Sequence, residues 1–224
     1  MFEILGINFY LYGLIVGLAV LVAMEISLRN RGNMQQITIE KAVWWTVISG
    51  VIGGRIYHVV DFYGRYYSNN FYKILYFWEG GLGIWGAIGG GLLGLWIYCY
   101  FNKLKYWKTL DILVIGVPLA QMIGRLGNCI NGELLGKNGE PLFVYEGFLN
   151  LILFGIVWMI AKKNTGPGTT SGVYLIGYGV IRILLENFRP KEIIWKTYGV
   201  PVAIIFGFLA ISIGTYLIFR KKQS

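Results

Sequence analysis

Histidine occurs once, at His58, and cysteine twice, at Cys99 and Cys129, in a chain of 224 residues. That scarcity excludes a disulfide framework and gives no metal-binding spacing. Both cysteines sit within or next to apolar stretches and read as small buried residues. Charged residues make up only 14% of the chain against 56% hydrophobic, and mean hydropathy is +0.58. A soluble domain with a polar surface does not have this composition. Long polar segments are also missing: the longest connections are GRYYSNNFYK (64–73), NTGPGTTSG (164–172) and RPKEIIWKTYG (189–199). No separate soluble domain and no internal repeat is expected. A Gly-rich nucleotide loop after a strand and a serine triad are absent as well.

What the chain does have is long apolar runs. They extend from Ile4 to Met24, Ala42 to Tyr63, Gly80 to Phe101, Leu110 to Leu126, Leu142 to Ala161, Gly172 to Phe188 and Gly199 to Phe219. Each is near the roughly 17–25 residues that cross hydrocarbon as a helix. The expected fold is therefore an all-α integral membrane protein of about seven transmembrane helices, a single polytopic membrane domain over residues 1–224. The opening MFEILGINFYLYG begins with Glu3 instead of a basic segment and lacks a small-residue cleavage site, so the first span is expected to stay.

Basic residues orient the spans. One side collects Arg29, Arg31 and Lys41, then Lys103, Lys105 and Lys108, then Lys162 and Lys163, and finally Arg220, Lys221 and Lys222. The other has only Arg65, Lys73, Lys137, Arg189, Lys191 and Lys196. The richer side is expected to be cytoplasmic, which puts the N-terminus outside and the C-terminus inside. Topology also accounts for most of the net charge of +9, because the basic residues mark helix ends and do not form the aromatic-interleaved patch of a nucleic-acid binder.

Glycine is abundant, 32 residues, concentrated in SGVIGGRIY and EGGLGIWGAIGGGLLG. Gly89 to Gly94 read as close helix packing through small residues. Gly80 and Gly81 suit a break in the helix at the membrane surface.

Charge inside spans is the exception that points to function. Arg55, Asp61, Asp111, Arg125, Glu133, Glu146, Arg182 and Glu186 lie in or beside apolar runs. Each mid-membrane charge costs roughly 2.5–3.5 kcal/mol on insertion scales and normally faces a cavity or a partner. In YGVIRILLENFRP, Tyr178, Arg182 and Glu186 recur every four residues and share one helix face, with Arg189 a turn beyond. In GRLGNCINGELLG, residues 124–136, Arg125 and Asn128 share a face. Both blocks fall toward the outer leaflet. Two arginines converging from two helices make an anion site, because the guanidinium fork matches phosphate oxygens and stays charged in a low-dielectric cavity. Phospholipid phosphate is the available anion. Asn128, Asn131 and Glu133 add donors and acceptors suited to the hydroxyls of a glycerol headgroup.

These motifs resemble those of the prolipoprotein diacylglyceryl transferase family. GRLGNCINGELLG is similar to its signature, roughly G-R-x-G-N-F-x-N-x-E-x-x-G. FYLYGLIVG, GGRIYHVVD, EGGLGIWGAIGG, PLFVYEGFLN and YGVIRILLENFRP resemble further family segments, so the likeness runs over nearly the whole chain. It implies a bacterial plasma-membrane enzyme, multi-pass, that moves diacylglycerol from phosphatidylglycerol to the lipobox cysteine thiol of a prolipoprotein signal peptide. A thioether forms and glycerol phosphate leaves. The resemblance implies Arg125, Arg182, Asn128, Glu133, Tyr12, Tyr178 and Glu186 as the catalytic set. For substrate binding it implies Arg125, Arg182, Asn128 and Gly136, with Gly81 and Gly86. Glu133 is assigned to the headgroup hydroxyls and Glu186 to holding Arg182. No cofactor, no metal and no nucleic acid is implied; the partners are membrane lipid and the signal peptide.

Three positions depart from the family pattern. Trp85 stands where many members carry a histidine, and His58 lies in a different span. Cys129 replaces the usual Phe, a packing substitution because the acceptor supplies its own thiol. PLFVYE lacks the histidine that often precedes its proline. Three other readings stay open at this stage: an enzyme using the same anionic lipid with another acceptor, an anion transporter or channel, and a non-catalytic lipid-binding scaffold.

Overall fold

A computed structural model describes residues 2–4, 7–9, 11–68, 71–76, 80–163, 165–197 and 199–220, with side chains from residue 13 onward except at Ile193. Among these residues the chain forms eight α-helices: α1 (Leu11–Arg29), α2 (Gln36–Phe62), α3 (Ile84–Phe101), α4 (Tyr106–Val114), α5 (Val117–Asn131), α6 (Leu142–Lys162), α7 (Thr169–Glu186) and α8 (Val202–Phe219). Two short antiparallel hairpins accompany them, Phe2–Ile4 with Ile7–Phe9 and Lys196–Thr197 with Val200–Pro201. The helical expectation holds.

By length and apolar composition, α3, α6 and α8 can each cross a membrane, and α4 with α5 qualifies as one span bent by 41°. Only 22–28% of each unbroken span is buried against protein. Exposed apolar side chains such as Phe101, Met159, Phe208 and Phe219 therefore need lipid around them, since soluble proteins rarely leave such continuous apolar surface bare.

The fourth apolar run was expected as one helix and is instead broken at 115–116. Pro118 in the first turn of α5 explains the break, because it has no N–H to give the Val114 carbonyl and its ring would clash with that carbonyl in a continuous helix. Gly116 also packs so closely on α1 that a Cβ there would strike the Ala23 backbone.

The chain divides into two compact units, residues 33–109 and residues 1–32 with 110–224. In the first, α2 and α3 run antiparallel and meet through small residues. A Cβ on Gly53 would meet the Gly86 carbonyl, one on Gly90 the Ser49 carbonyl, and one on Gly94 the Ser49 side chain. Gly90, Gly91 and Gly94 thus fulfil the packing role expected for this stretch, while Gly89 faces open space. Gly80 and Gly81 have φ of +93° and +75° and break the chain before α3.

In the second unit, α5, α6 and α7 pack in sequence, with α1 on α5 and α8 on α7. Its core is built from Ile115, Leu153, Val157, Ile181 and Leu185, flanked by Leu149, Phe154, Tyr174 and Tyr178. Asp111 of α4 anchors the start of α7: its carboxylate accepts from Gly168 N at 2.6 Å, Ser171 N at 2.8 Å and Ser171 Oγ at 2.6 Å. A carboxylate there satisfies backbone donors that the first turn of a helix leaves orphaned.

Candidate active site

Arg125 on α5, Glu146 on α6 and Arg182 on α7 converge within the second unit. Glu146 Oε1 lies 2.6 Å from Arg125 Nη2, and its Oε2 lies 3.7 Å from Arg182 Nη1. The Glu146 side chain is only 2% exposed, whereas the two arginines keep about a quarter of theirs accessible (25% and 24%). One buried carboxylate therefore bridges two guanidinium groups that also face outward. Close approach of the helices is helped by Gly147, whose Cβ position lies 3.7 Å from Arg125 Cβ.

The α5 terminus builds the next layer. Arg125 Nη1 donates to Asn128 Oδ1 at 2.9 Å. Asn128 and Asn131 donate to the two oxygens of Glu133 at 3.3 and 3.4 Å. Glu133 is delivered there by a helix-ending turn: Gly132 has φ +67°, its N–H reaches Cys129 O, and Glu133 N reaches Asn128 O, the paired bonds of a Schellman cap. Gly132 thus serves a turn. Leu134 follows in the left-handed region at φ +62°, a conformation that costs a leucine about 1–2 kcal/mol.

Beyond it the loop docks on the end of α7. Gly136 N donates to Glu140 O and Lys137 N to Phe188 O, and a Cβ on Gly136 would crowd the Glu140 carboxylate and the Phe188 carbonyl. Glu140 accepts from Asn138 N at 2.9 Å and Nδ2 at 2.7 Å. The backbone N–H of Asn138 is the main reason its carboxyl sits below the ordinary carboxylate range.

On α7, Tyr178 lies within electrostatic reach of Arg182, Glu146, Arg125 and Arg189. Its ring stacks on Tyr174 with centroids 5.9 Å apart, and Tyr174 Oη accepts from Gln121 Nε2 at 3.0 Å. Glu186 was expected to hold Arg182. It instead pairs with Arg189 at 3.5 Å, and the carboxylate on Arg182 is Glu146. The reason is reach: Arg189, three residues on, closes over Glu186, while Arg182 faces α6.

The structure thus brings Arg125, Arg182, Asn128, Glu133, Tyr178 and Glu186 into one unit. Tyr12 lies at the start of α1, and its side chain falls outside the described residues. Gly81 and Gly86 belong to the other unit. Gly86 is a packing position of α3, since a Cβ there would meet Gly53 O and Tyr57. Gly81 lines a cavity of about 260 Å³ together with Arg55, His58, Tyr66, Tyr67 and Lys73. Arg55 is occupied structurally there: it donates to the carbonyls of Lys73, Ile74, Gly80 and Gly81. His58 Nδ1 lies 3.1 Å from Tyr67 Oη and its ring stacks on Phe62. Among the described residues no group of three or more His, Cys, Asp or Glu side chains is placed to hold a metal ion.

Sequence reasoning gave too little weight to Glu146 and Arg189 and overlooked Gln121 and Asn150. The available signal was polarity repeating at helical spacing within α6, where Glu146 and Asn150 stand one turn apart in an otherwise apolar helix.

This is a helical membrane protein that holds two partly accessible arginines on one buried carboxylate, groups whose chemistry suits an anionic ligand. The family model for prolipoprotein diacylglyceryl transferase matches residues 1–220, and the chain belongs to that family. It is 33% identical to the phosphatidylglycerol–prolipoprotein diacylglyceryl transferase of Leifsonia xyli subsp. xyli, over 95% of this chain and 74% of that protein. The same-named proteins of Streptococcus uberis and Listeria monocytogenes are 31% and 28% identical. They cover 97% and 95% of this chain, and 92% and 86% of their own lengths.

Proposed function

We propose that this chain carries out its family's reaction: the thiol of a lipobox cysteine attacks the glyceryl carbon of phosphatidylglycerol, the carbon–oxygen bond to phosphate breaks, and a thioether and glycerol phosphate result. The thiol proton is lost to the departing phosphate or to solvent. The observation that carries this reading is the convergence of Arg125 and Arg182 on Glu146. In that position the two guanidinium groups hold the lipid phosphate and stabilise the charge that grows on it as the bond breaks, which is where preorganised donors accelerate a reaction most. Nearby guanidinium charge also favours the thiolate over the thiol, whose ordinary pKa is about 8.5.

Asn128 and Glu133 hold the hydroxyls of the departing glycerol. Tyr178 orients Arg182, and Glu186 keeps Arg189 in place. Tyr12 completes the catalytic set and Gly136 the substrate-binding set, to which the family resemblance adds Gly81 and Gly86.

The chain works as one polytopic membrane domain over residues 1–224, with seven spans in a bacterial plasma membrane, N-terminus outside and C-terminus in the cytoplasm. The distribution of lysine and arginine supports this orientation. Both signature blocks then face the outer leaflet, where a secreted prolipoprotein presents its cysteine.

The test is transfer by purified protein in vesicles of phosphatidylglycerol with a lipobox peptide. Thioether-linked diacylglyceryl peptide and glycerol phosphate are expected in equal amounts. Release of glycerol phosphate with no peptide modification would assign the chain to another acceptor.

A further inference from the structure

Asn150 stands on α6 one turn beyond Glu146 and is 0% exposed. Neither its Nδ2 nor its Oδ1 has a hydrogen-bond partner among the described residues. Buried amides are nearly always paired, and inside a bilayer no water-rich surroundings compensate one that is not. Such a group calls for a partner that arrives in another state of the protein.

The geometry points to that partner. Residues four apart on a helix share a face, and side chains lean toward the helix N-terminus, so Asn150 leans toward Glu146. Glu146 in turn fills the notch between Arg125 and Arg182, which under the proposed function is where the lipid phosphate binds. Carboxylate and phosphodiester are both singly charged anions that seek the same guanidinium donors. The arm to Arg182, at 3.7 Å, is longer than the 2.6 Å arm to Arg125. It is the one that opens.

We propose that Glu146 is a built-in occupant of the phosphate site, that the phosphodiester of the lipid substrate displaces it from Arg182, and that the Asn150 amide receives the displaced carboxylate by donating from Nδ2. This inference rests on the proposed function and deepens it. Asn150 is a positioning residue: it acts through Glu146 and sets how easily the lipid enters. Its amide is unpartnered in the lipid-free arrangement because its hydrogen bond belongs to the lipid-bound one.

The test compares wild type, Asn150→Leu and Asn150→Gln in mixed micelles of rising phosphatidylglycerol fraction, with thermal unfolding in lipid-free detergent alongside. Loss of a hydrogen bond to a charged group is expected to raise the KM for phosphatidylglycerol about tenfold. The kcat should stay within about twofold, since ground-state entry and not the chemical step is affected. Asn150→Leu should melt no lower than wild type, because it removes an unsatisfied amide from the lipid-free state. Asn150→Gln, which keeps the amide, should restore most of the KM. In a Glu146→Gln background the KM effect of Asn150→Leu should vanish.

An unchanged KM in Asn150→Leu overturns the inference. So does a lower melting temperature accompanied by a fall in kcat as large as the rise in KM, the pattern of a residue that only packs. If Asn150→Leu does not fold, Asn150→Ala is read in its place. Absence of transfer by wild type would instead sink the proposed function, so the two failures are distinct.

Discussion

Arg125→Ala separates the stabilising and catalytic roles of the arginine cluster. In the folded protein it removes the closer partner of a side chain that is only 2% exposed, leaving Glu146 with one contact at 3.7 Å to Arg182. Breaking a buried pair from one side costs about 3–5 kcal/mol, and the surviving Arg182 contact places the loss at the lower end. Total stability is typically about 5–15 kcal/mol, so the variant still folds but melts earlier. In the reaction it removes one of two groups on the developing phosphate charge, a loss of about 10²–10³ in rate for a single preorganised donor. Adding Glu146→Gln then removes the stranded carboxylate while keeping an acceptor for Arg182. The double variant should regain much of the melting temperature and none of the transfer rate. Thermal unfolding in detergent and thioether formation on a lipobox peptide read the two effects independently. Activity that returns together with stability in the double variant would show that Arg125 only supports the fold.

Other positions give simpler outcomes. Asp111→Ala removes the acceptor of three hydrogen bonds at the start of α7 and should lower stability by about 1–3 kcal/mol without changing the KM for lipid, as thermal unfolding and kinetics would report. Gly90→Ala should reduce the yield of folded protein because its Cβ meets the Ser49 carbonyl, whereas Gly89→Ala, with nothing nearby, should be neutral or stabilising by up to about 1 kcal/mol. Glu140 contributes order to the 137–141 loop above its ordinary pKa near 4.5, and that contribution is lost as pH falls through its lowered folded value. Protection of the Asn138 amide against hydrogen exchange, taken relative to its intrinsic rate at each pH, should therefore fall in acid, and Glu140→Gln should make that protection independent of pH. For topology, a cysteine at Asn138 should react with impermeant maleimide from outside the cell and one at Thr165 only from inside; the reverse pattern would invert the orientation.

Much of this molecule was legible in its residues. The apolar runs located the helices because hydrocarbon leaves a helix few alternatives, and the four-residue spacing of Tyr178, Arg182 and Glu186 placed them on one face. The signature block revealed Arg125 with Asn128, and the structure joins them by a hydrogen bond. Less legible was which charge meets which. Arg182 finds Glu146 across a helix interface and Glu186 finds Arg189 along its own helix, a choice made by packing and invisible to spacing. The break before Pro118 was masked by a continuous apolar run. Gly86, expected from the family pattern, also lets two backbones touch, and Asp111, which looked like a functional charge, caps a helix. Asn150 passed unnoticed because a single amide in a long apolar helix gains meaning only beside the carboxylate one turn away.

The most direct test of the central claim uses protein labelled with ¹³C at arginine Cζ in phosphatidylglycerol bilayers, with ¹³C–³¹P dipolar recoupling to the lipid phosphorus. Two guanidinium carbons should couple to lipid phosphate, one signal disappearing in Arg125→Lys and the other in Arg182→Lys. Two couplings that both survive in either variant, or coupling that is absent from the wild type, would contradict a phosphate held between these two arginines.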